Sequence, residues 1–190
     1  MKEKKKRAFS VTTKTGDEGE TGLLDHTRVH KHDPRPEAYG AIDEANAFIG
    51  LARAKSDLQP VKEILLEAQN HLYVVNAELA CRPESQHLLK TRLTAEQLRR
   101  IEERCEEIET KLKLPPRFVL YGQSEVSAEL DVARAVLRRA ERRIVELSRS
   151  AGLSNPLILA YVNRLSDLLF LLARYYESEH GIPFAHPLDG

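Results

Sequence analysis

Residues 133–147 read Ala133-Arg134-Ala135-Val136-Leu137-Arg138-Arg139-Ala140-Glu141-Arg142-Arg143-Ile144-Val145-Glu146-Leu147. Ala133, Val136, Leu137, Ala140, Ile144 and Leu147 recur at intervals of three and four, the period of one helix face rather than of a strand. Arg134, Arg138 and Arg142 are spaced by four and form a second, cationic stripe on the same helix.

The breakers around this stretch repeat its message. Proline is absent from 37–59, 61–82, 84–114, 117–155 and 157–182, and no glycine lies between Gly50 and Gly122. Five uninterrupted intervals predict five helices. Leu65, Leu72, Val75 and Leu79 repeat the apolar period, as do Ile101, Cys105, Ile108 and Leu112 within a helix expected over about 94–113. Thr94 and Gln97 have the spacing of a capping box, Asn155 precedes Pro156 as an N-cap, and Gly152 ends the helix before it. Helices around 124–151 and 155–180 would each be roughly 40 Å long, a length suited to an antiparallel bundle. The first 33 residues and the stretch 114–123 read as loops.

Composition sets the outer limits. A chain of 190 residues is one domain's worth and can bury a core without metals or disulfides. Lysine plus arginine and aspartate plus glutamate number 29 each, so no global field favours nucleic acid or a membrane surface, and any anion binding must be local. Cys81 and Cys105 are too few for a disulfide framework and read as core residues in a reducing compartment. The basic run Lys2 to Arg7 is followed by no apolar stretch, which reads as a flexible arm over 1–11 on a cytoplasmic protein, ahead of a helical domain over 12–182 and a tail over 183–190. No run approaches the ~18 apolar residues of a membrane helix.

Two motifs carry chemistry. Residues 12–24, Thr12-Thr13-Lys14-Thr15-Gly16-Asp17-Glu18-Gly19-Glu20-Thr21-Gly22-Leu23-Leu24, hold three of the nine glycines. Glycines let backbone N–H groups converge on an anion, and hydroxyls and Lys14 add donors, but a turn-rich connection has the same composition. The order of residues is not that of a Walker A loop. The Arg134/Arg138/Arg142 stripe suits either a polyanion or a salt-bridged surface using Glu141 and Glu146, and Asn163 and Asp167 stand one turn apart on the last helix. A rival reading is a carboxylate-bridged metal bundle built on Glu84-x-x-His87 and Glu177-x-x-His180, with His26, His30 and His32 as a further metal candidate.

Taken in order, the motifs resemble those of the PduO-type ATP:cob(I)alamin adenosyltransferases. The matching blocks are Thr13 to Asp17 with Gly19 and Thr21-Gly22-Leu23; Arg28-Val29 with Lys31 and Asp33; Glu37 to Gly40 with Asp43-Glu44 and Asn46; Arg117 to Leu120; Arg138 to Arg143; and Asn163 to Asp167 through Leu171, Ala173, Arg174 and Tyr175. The resemblance implies an all-α, ferritin-like five-helix antiparallel bundle with an N-terminal glycine-rich loop, assembled as a homotrimer with sites between subunits. It implies transfer of the 5′-deoxyadenosyl group of ATP to cobalt(I) of reduced cobalamin, with Mg2+, yielding adenosylcobalamin and tripolyphosphate. A reductase and an adenosylcobalamin-dependent enzyme would stand on either side of that step; a non-catalytic trimeric scaffold is the alternative. Carried over by position, ATP contacts fall on Thr13, Lys14, Thr15, Gly16, Thr21, Lys31, Arg138, Arg139, Ala140, Glu141, Arg142 and Asn163. Lys14, Lys31 and Arg142 would stabilise the departing phosphates. Phe118 and Phe170 would face the corrin, and Asp43 would pair with Arg138 across subunits. The chain departs from the family at Tyr121-Gly122-Gln123, where Pro-Gly-Gly is usual, and at Leu24-Asp25-His26, where an aromatic and a glycine are usual. Phe184 joins the corrin side only if the tail folds back.

Overall fold

The computed structural model describes residues 11–188, so nearly all of the expected arm at 1–11 lies outside the described residues. A two-stranded antiparallel hairpin, β1 (Glu20–Gly22) and β2 (Arg28–His30), precedes α1 (Pro34–Lys55), α2 (Gln59–Leu79), a 3-10 helix over Pro83–Leu88, α3 (Ala95–Lys111), α4 (Glu125–Ser150) and α5 (Leu157–Glu179). The five helices fall inside the five proline-free intervals apart from their terminal residues. The hairpin corrects the reading of the first 33 residues as loop: Thr21 pairs with Val29, and three-residue strands carry too little alternation to show in a sequence.

Local chemistry sets the ends. Thr94 Oγ1 accepts the Gln97 N–H while the Gln97 side chain accepts the Thr94 N–H, as the spacing required. Ser124 and Ser127 form a second reciprocal cap at the start of α4. Pro156 already has helical dihedrals, and Asn155 Oδ1 accepts the Leu157 N–H at 3.2 Å. Gly152 has φ +77°, the left-handed turn that lets the chain leave α4.

Ion pairs and hydrogen bonds fix the helix directions. Arg143 meets Glu37 and Lys55 meets Glu125, so α1 and α4 run antiparallel. Glu141 meets Asn163 and Asp131 meets Arg174, so α4 and α5 do too. Consecutive helices alternate throughout, which leaves α3 and α5 as a parallel pair, with Arg164 facing Glu102 and Tyr175 under Lys111. The apolar face read from 133–147 packs into the centre: Ala133, Leu137, Ala140, Ile144 and Leu147 are fully buried among Ile42, Ile49, Leu65, Leu72, Leu165 and Leu169. Both cysteines are buried and free.

Two buried polar groups close the bundle where sequence gave no warning. Arg35, in the first turn of α1, donates to the carbonyls of Leu79 and Cys81 at 3.2 and 3.0 Å and of Ala151 and Gly152 at 3.3 Å each. It thereby caps the C-terminal ends of α2 and α4 with one guanidinium. Glu78 accepts from Leu93 N, Arg92 Nε and Asn155 Nδ2, tying the end of α2 to the segments that lead into α3 and α5.

Candidate functional site

The glycine-rich segment 12–24 is held open by its own backbone. Gly19 has φ +84° and Lys14 φ +59°, both left-handed conformations. Gly19 N–H donates to the Gly16 carbonyl, Lys31 N–H to the Gly19 carbonyl, and Arg28 Nη2 to the Thr15 carbonyl at 2.6 Å. A methyl group on Gly16 would stand 3.2 Å from the Glu20 carbonyl and 3.4 Å from Lys31 Nζ, so the missing side chain is what lets Lys31 lie across the segment. Thr13, Lys14, Thr15 and Lys31 are exposed, Gly16 and Thr21 half-buried. Lys14 and Lys31 pair with no carboxylate among the described residues.

Asp25, which departs from the family pattern, anchors this segment. Its carboxylate accepts from Ser85 Oγ at 2.6 Å, Arg82 Nε at 2.7 Å and Thr27 N–H at 3.0 Å, and these donors hold its pKa well below the usual carboxylate range. Leu24 N–H donates to the Ala80 carbonyl. The far edge of the segment is thus bolted to the α2–α3 connection.

On α4 the cationic stripe divides. Arg134 pairs with Asp131, Arg139 with Glu44 on α1, and Arg143 with Glu37 and Glu146. Arg138 and Arg142 are exposed and pair with no carboxylate among the described residues; Arg142 donates only to the Arg138 carbonyl, at 3.0 Å. Arg138 lines a cleft of about 390 Å³ with Arg134, Arg164, Asp167 and Phe170, whereas Arg139 lines a separate groove with Glu37 and Glu44. Glu141 accepts from Asn163 Nδ2 at 3.0 Å, so these two expected nucleotide contacts lie together. Ala140 is fully buried, its methyl packed in the core between the arginines on either side of it. Asp43 is exposed and does not meet Arg138 within one chain; its neighbour Glu44 pairs with Arg139 instead. No hydrogen bond or ion pair among the described residues joins segment 12–24 to Arg138 or Arg142.

The segment between α3 and α4 carries Phe118, whose side chain is unburied at 86% exposure. Tyr121 rests 4.6 Å from the Arg134 guanidinium and 5.8 Å from that of Arg174, and Phe170 lies 5.3 Å from Arg174. The tail folds back onto this segment: Leu120 N–H donates to the Ala185 carbonyl, His186 Nδ1 to the Phe118 carbonyl at 2.8 Å, and Phe184 packs against the core. Arg174 is the charge that sequence reasoning missed. It is fully buried, bonded to Asp131 at 2.8 Å and Glu177 at 2.9 Å; the Arg174/Glu177 spacing looks like any exposed helix pair, and the burial depends on Asp131, 43 residues away.

The residues of the metal reading serve elsewhere. Glu177 is consumed by Arg174, His180 by Asp57 and the Tyr176 carbonyl, and Glu84 by Arg82. His30 and His32 stack on each other at 5.3 Å. Among the described residues no three His, Cys, Asp or Glu side chains are grouped to hold a metal ion, and no helix is long and apolar enough to cross a membrane.

The family model described as cobalamin adenosyltransferase matches residues 11–176. A corrinoid adenosyltransferase of Mycobacterium leprae is 41% identical over 86% of this chain and 89% of its own length, and one of Bacillus subtilis 39% over 92% and 90%. The corrinoid adenosyltransferase PduO of Salmonella typhimurium is 34% identical, and there the match covers 90% of this chain but 51% of the longer relative. Among solved structures, a phenylalanine-to-histidine variant of a PduO-type ATP:corrinoid adenosyltransferase from Lactobacillus reuteri, complexed with cobalamin and ATP, superposes with a TM-score of 0.89 at 29% identity, covering 95% and 97% of the two chains. An arginine-to-lysine variant from the same organism, complexed with ATP, gives 0.86 at 30% over 93% and 99%.

Proposed function

The chain belongs to the cobalamin adenosyltransferase family, and from that premise we propose how its own residues serve the reaction, the transfer of the 5′-deoxyadenosyl group of ATP to the cobalt of a reduced corrinoid. The observation that carries the assignment of residues is the pair Arg138 and Arg142, which meet no carboxylate among the described residues on a helix whose Arg134, Arg139 and Arg143 are paired. Unpaired guanidiniums in a row are a standing demand for anions, met at Arg142 by the triphosphate of ATP and at Arg138 by a carboxylate of a second copy of the chain.

Lys14, Lys31 and Arg142 bind the phosphates, Thr13, Thr15 and Thr21 add hydroxyl donors, and Gly16 gives the backbone room for close approach. Asn163, held by Glu141, orients the nucleotide from α5. Cobalt(I) of the corrinoid is the nucleophile: its electron pair forms the bond to the ribose 5′ carbon as the carbon–oxygen bond breaks, and tripolyphosphate leaves with the bonding pair. The protein therefore supplies no general base; it aligns the two substrates and stabilises the charge that grows on the leaving phosphates. Magnesium is proposed to arrive on the nucleotide's phosphates, the usual way a small hard cation is held. Phe118 and Phe170 form the apolar side that keeps water from the cobalt.

Among the described residues no hydrogen bond or ion pair joins segment 12–24 to Arg138 or Arg142. We place them together by assembly, with the segment of one copy facing α4 of the next and Asp43 pairing with Arg138 across that boundary. A homotrimer in the cytoplasm is the arrangement this reading requires.

The test is an anaerobic assay with ATP and chemically reduced cobalamin, following the absorbance change on formation of the cobalt–carbon bond. Saturable transfer supports the reading. No transfer across a range of corrinoids would leave a helical scaffold in its place.

A further inference from the structure

We propose that Tyr121 is a positioning residue for the segment that carries Phe118, acting through its ring on two guanidiniums; the catalytic part of this inference rests on the function proposed above. Segment 117–122 buries Val119 and leaves Phe118, Leu120 and Tyr121 exposed. Leu120 N–H and the Phe118 carbonyl bond the tail at Ala185 and His186, and Gly122 turns with φ +81°. Tyr121 ties the segment to the helices, its ring lying over Arg134 of α4 and Arg174 of α5.

Those guanidiniums are prepared for a ring. Arg174 is fully buried, and its edge is occupied by Asp131 and Glu177, although Nη1 has no hydrogen-bond partner and Nε faces Glu177 at an angle poor for a hydrogen bond. Its faces remain for the aromatic rings of Tyr121 and Phe170, whose negative quadrupoles suit a desolvated cation. Asp131 holds Arg134 and Arg174 side by side, so one ring can reach both. The Tyr121 hydroxyl makes no hydrogen bond among the described residues. The ring is therefore a side-chain clamp on the segment, beside buried Val119 and the two bonds to the tail.

The experiment compares Tyr121→Leu and Tyr121→Phe in the full-length protein. For Tyr121→Leu we expect kcat/KM for the corrinoid to fall about two- to fivefold, the worth of a cation–π contact whose ring is half exposed, with the Kd for ATP unchanged. Amide hydrogen exchange at Leu120 should speed up about two- to fivefold while exchange in α4 stays as it was. Tyr121→Phe should match the native protein in all of these. If Tyr121→Leu leaves both corrinoid kinetics and Leu120 exchange unaltered, or if Tyr121→Phe behaves like Tyr121→Leu, the clamp is overturned. Native protein that transfers to no corrinoid would sink the functional reading instead, and Leu120 exchange would still decide whether the ring holds the segment.

Discussion

Replacing Arg142 with alanine separates the cost to the fold from the cost to the ligand, because the structure gives this side chain almost nothing to do in the empty protein. It is exposed, and its one hydrogen bond runs to the Arg138 carbonyl on its own helix. Alanine is the better helix former, so stability should move by no more than about 0.5 kcal/mol. On the ligand side, a hydrogen bond to a charged group contributes about 1.5–3 kcal/mol, and 1.4 kcal/mol is tenfold in affinity. Arg142→Ala should therefore weaken ATP binding about 10- to 150-fold with an unchanged melting curve. Arg142→Lys keeps the charge but loses the planar fork and should fall between. Arg143→Ala is the control: that guanidinium is occupied by Glu37 at 3.6 Å and Glu146 at 3.1 Å, and its loss should leave ATP affinity within about twofold, as expected of an exposed pair. Isothermal titration with ATP beside a thermal melt reads all three. Normal ATP affinity and turnover in Arg142→Ala, or equal damage from Arg143→Ala, would refute the argument from unpaired charge.

Phe118→Ala removes a side chain already in solvent, so the protein should fold and bind ATP as before while corrinoid turnover falls by about 10²-fold, the scale of a misplaced reacting partner; steady-state kinetics against ATP titration checks it. Ile144→Ala opens the centre of the α4 face and should cost roughly 2–5 kcal/mol in a urea melt at fixed protein concentration. His180 donates to the Tyr176 carbonyl and to Asp57, which raise its pKa, so the charged form is favoured in the fold. Its stabilising contribution is complete below the ordinary imidazole pKa and fades as pH rises through the higher folded value. Stability measured from pH 6 to 9 should decline less in His180→Ala than in the native protein.

What the sequence disclosed and what it hid follow one physical division. Helix faces and caps are local: Ile144 and Leu147 announce themselves by spacing, and Thr94 finds its partner three residues on. Family resemblance supplied the reaction, since neither segment 12–24 nor the arginine stripe is decisive by composition. Hidden were the facts that depend on distant chain segments. That Arg139 and Arg143 beside the stripe are already paired is decided by Glu44 and Glu37, about 100 residues upstream, and whether the tail reaches Phe118 by a bond between residues 118 and 186. Buried charges were the least legible: Arg35, Glu78, Asp131 and Arg174 look in sequence like any exposed residue and are told apart only by the carbonyls and counter-charges the fold brings to them.

Arg35 has a consequence in time as well as in space. Its four acceptors come from residues 79–81 and 151–152, so the socket does not exist until α1, α2 and α4 are all docked. A partly assembled bundle gains nothing from the guanidinium and must keep it in water. Interactions of this kind belong to the last stage of folding and add to the barrier on the way out. Arg35 is thus a latch closed after the other pieces are in place, and its strength governs how long the native bundle stays shut.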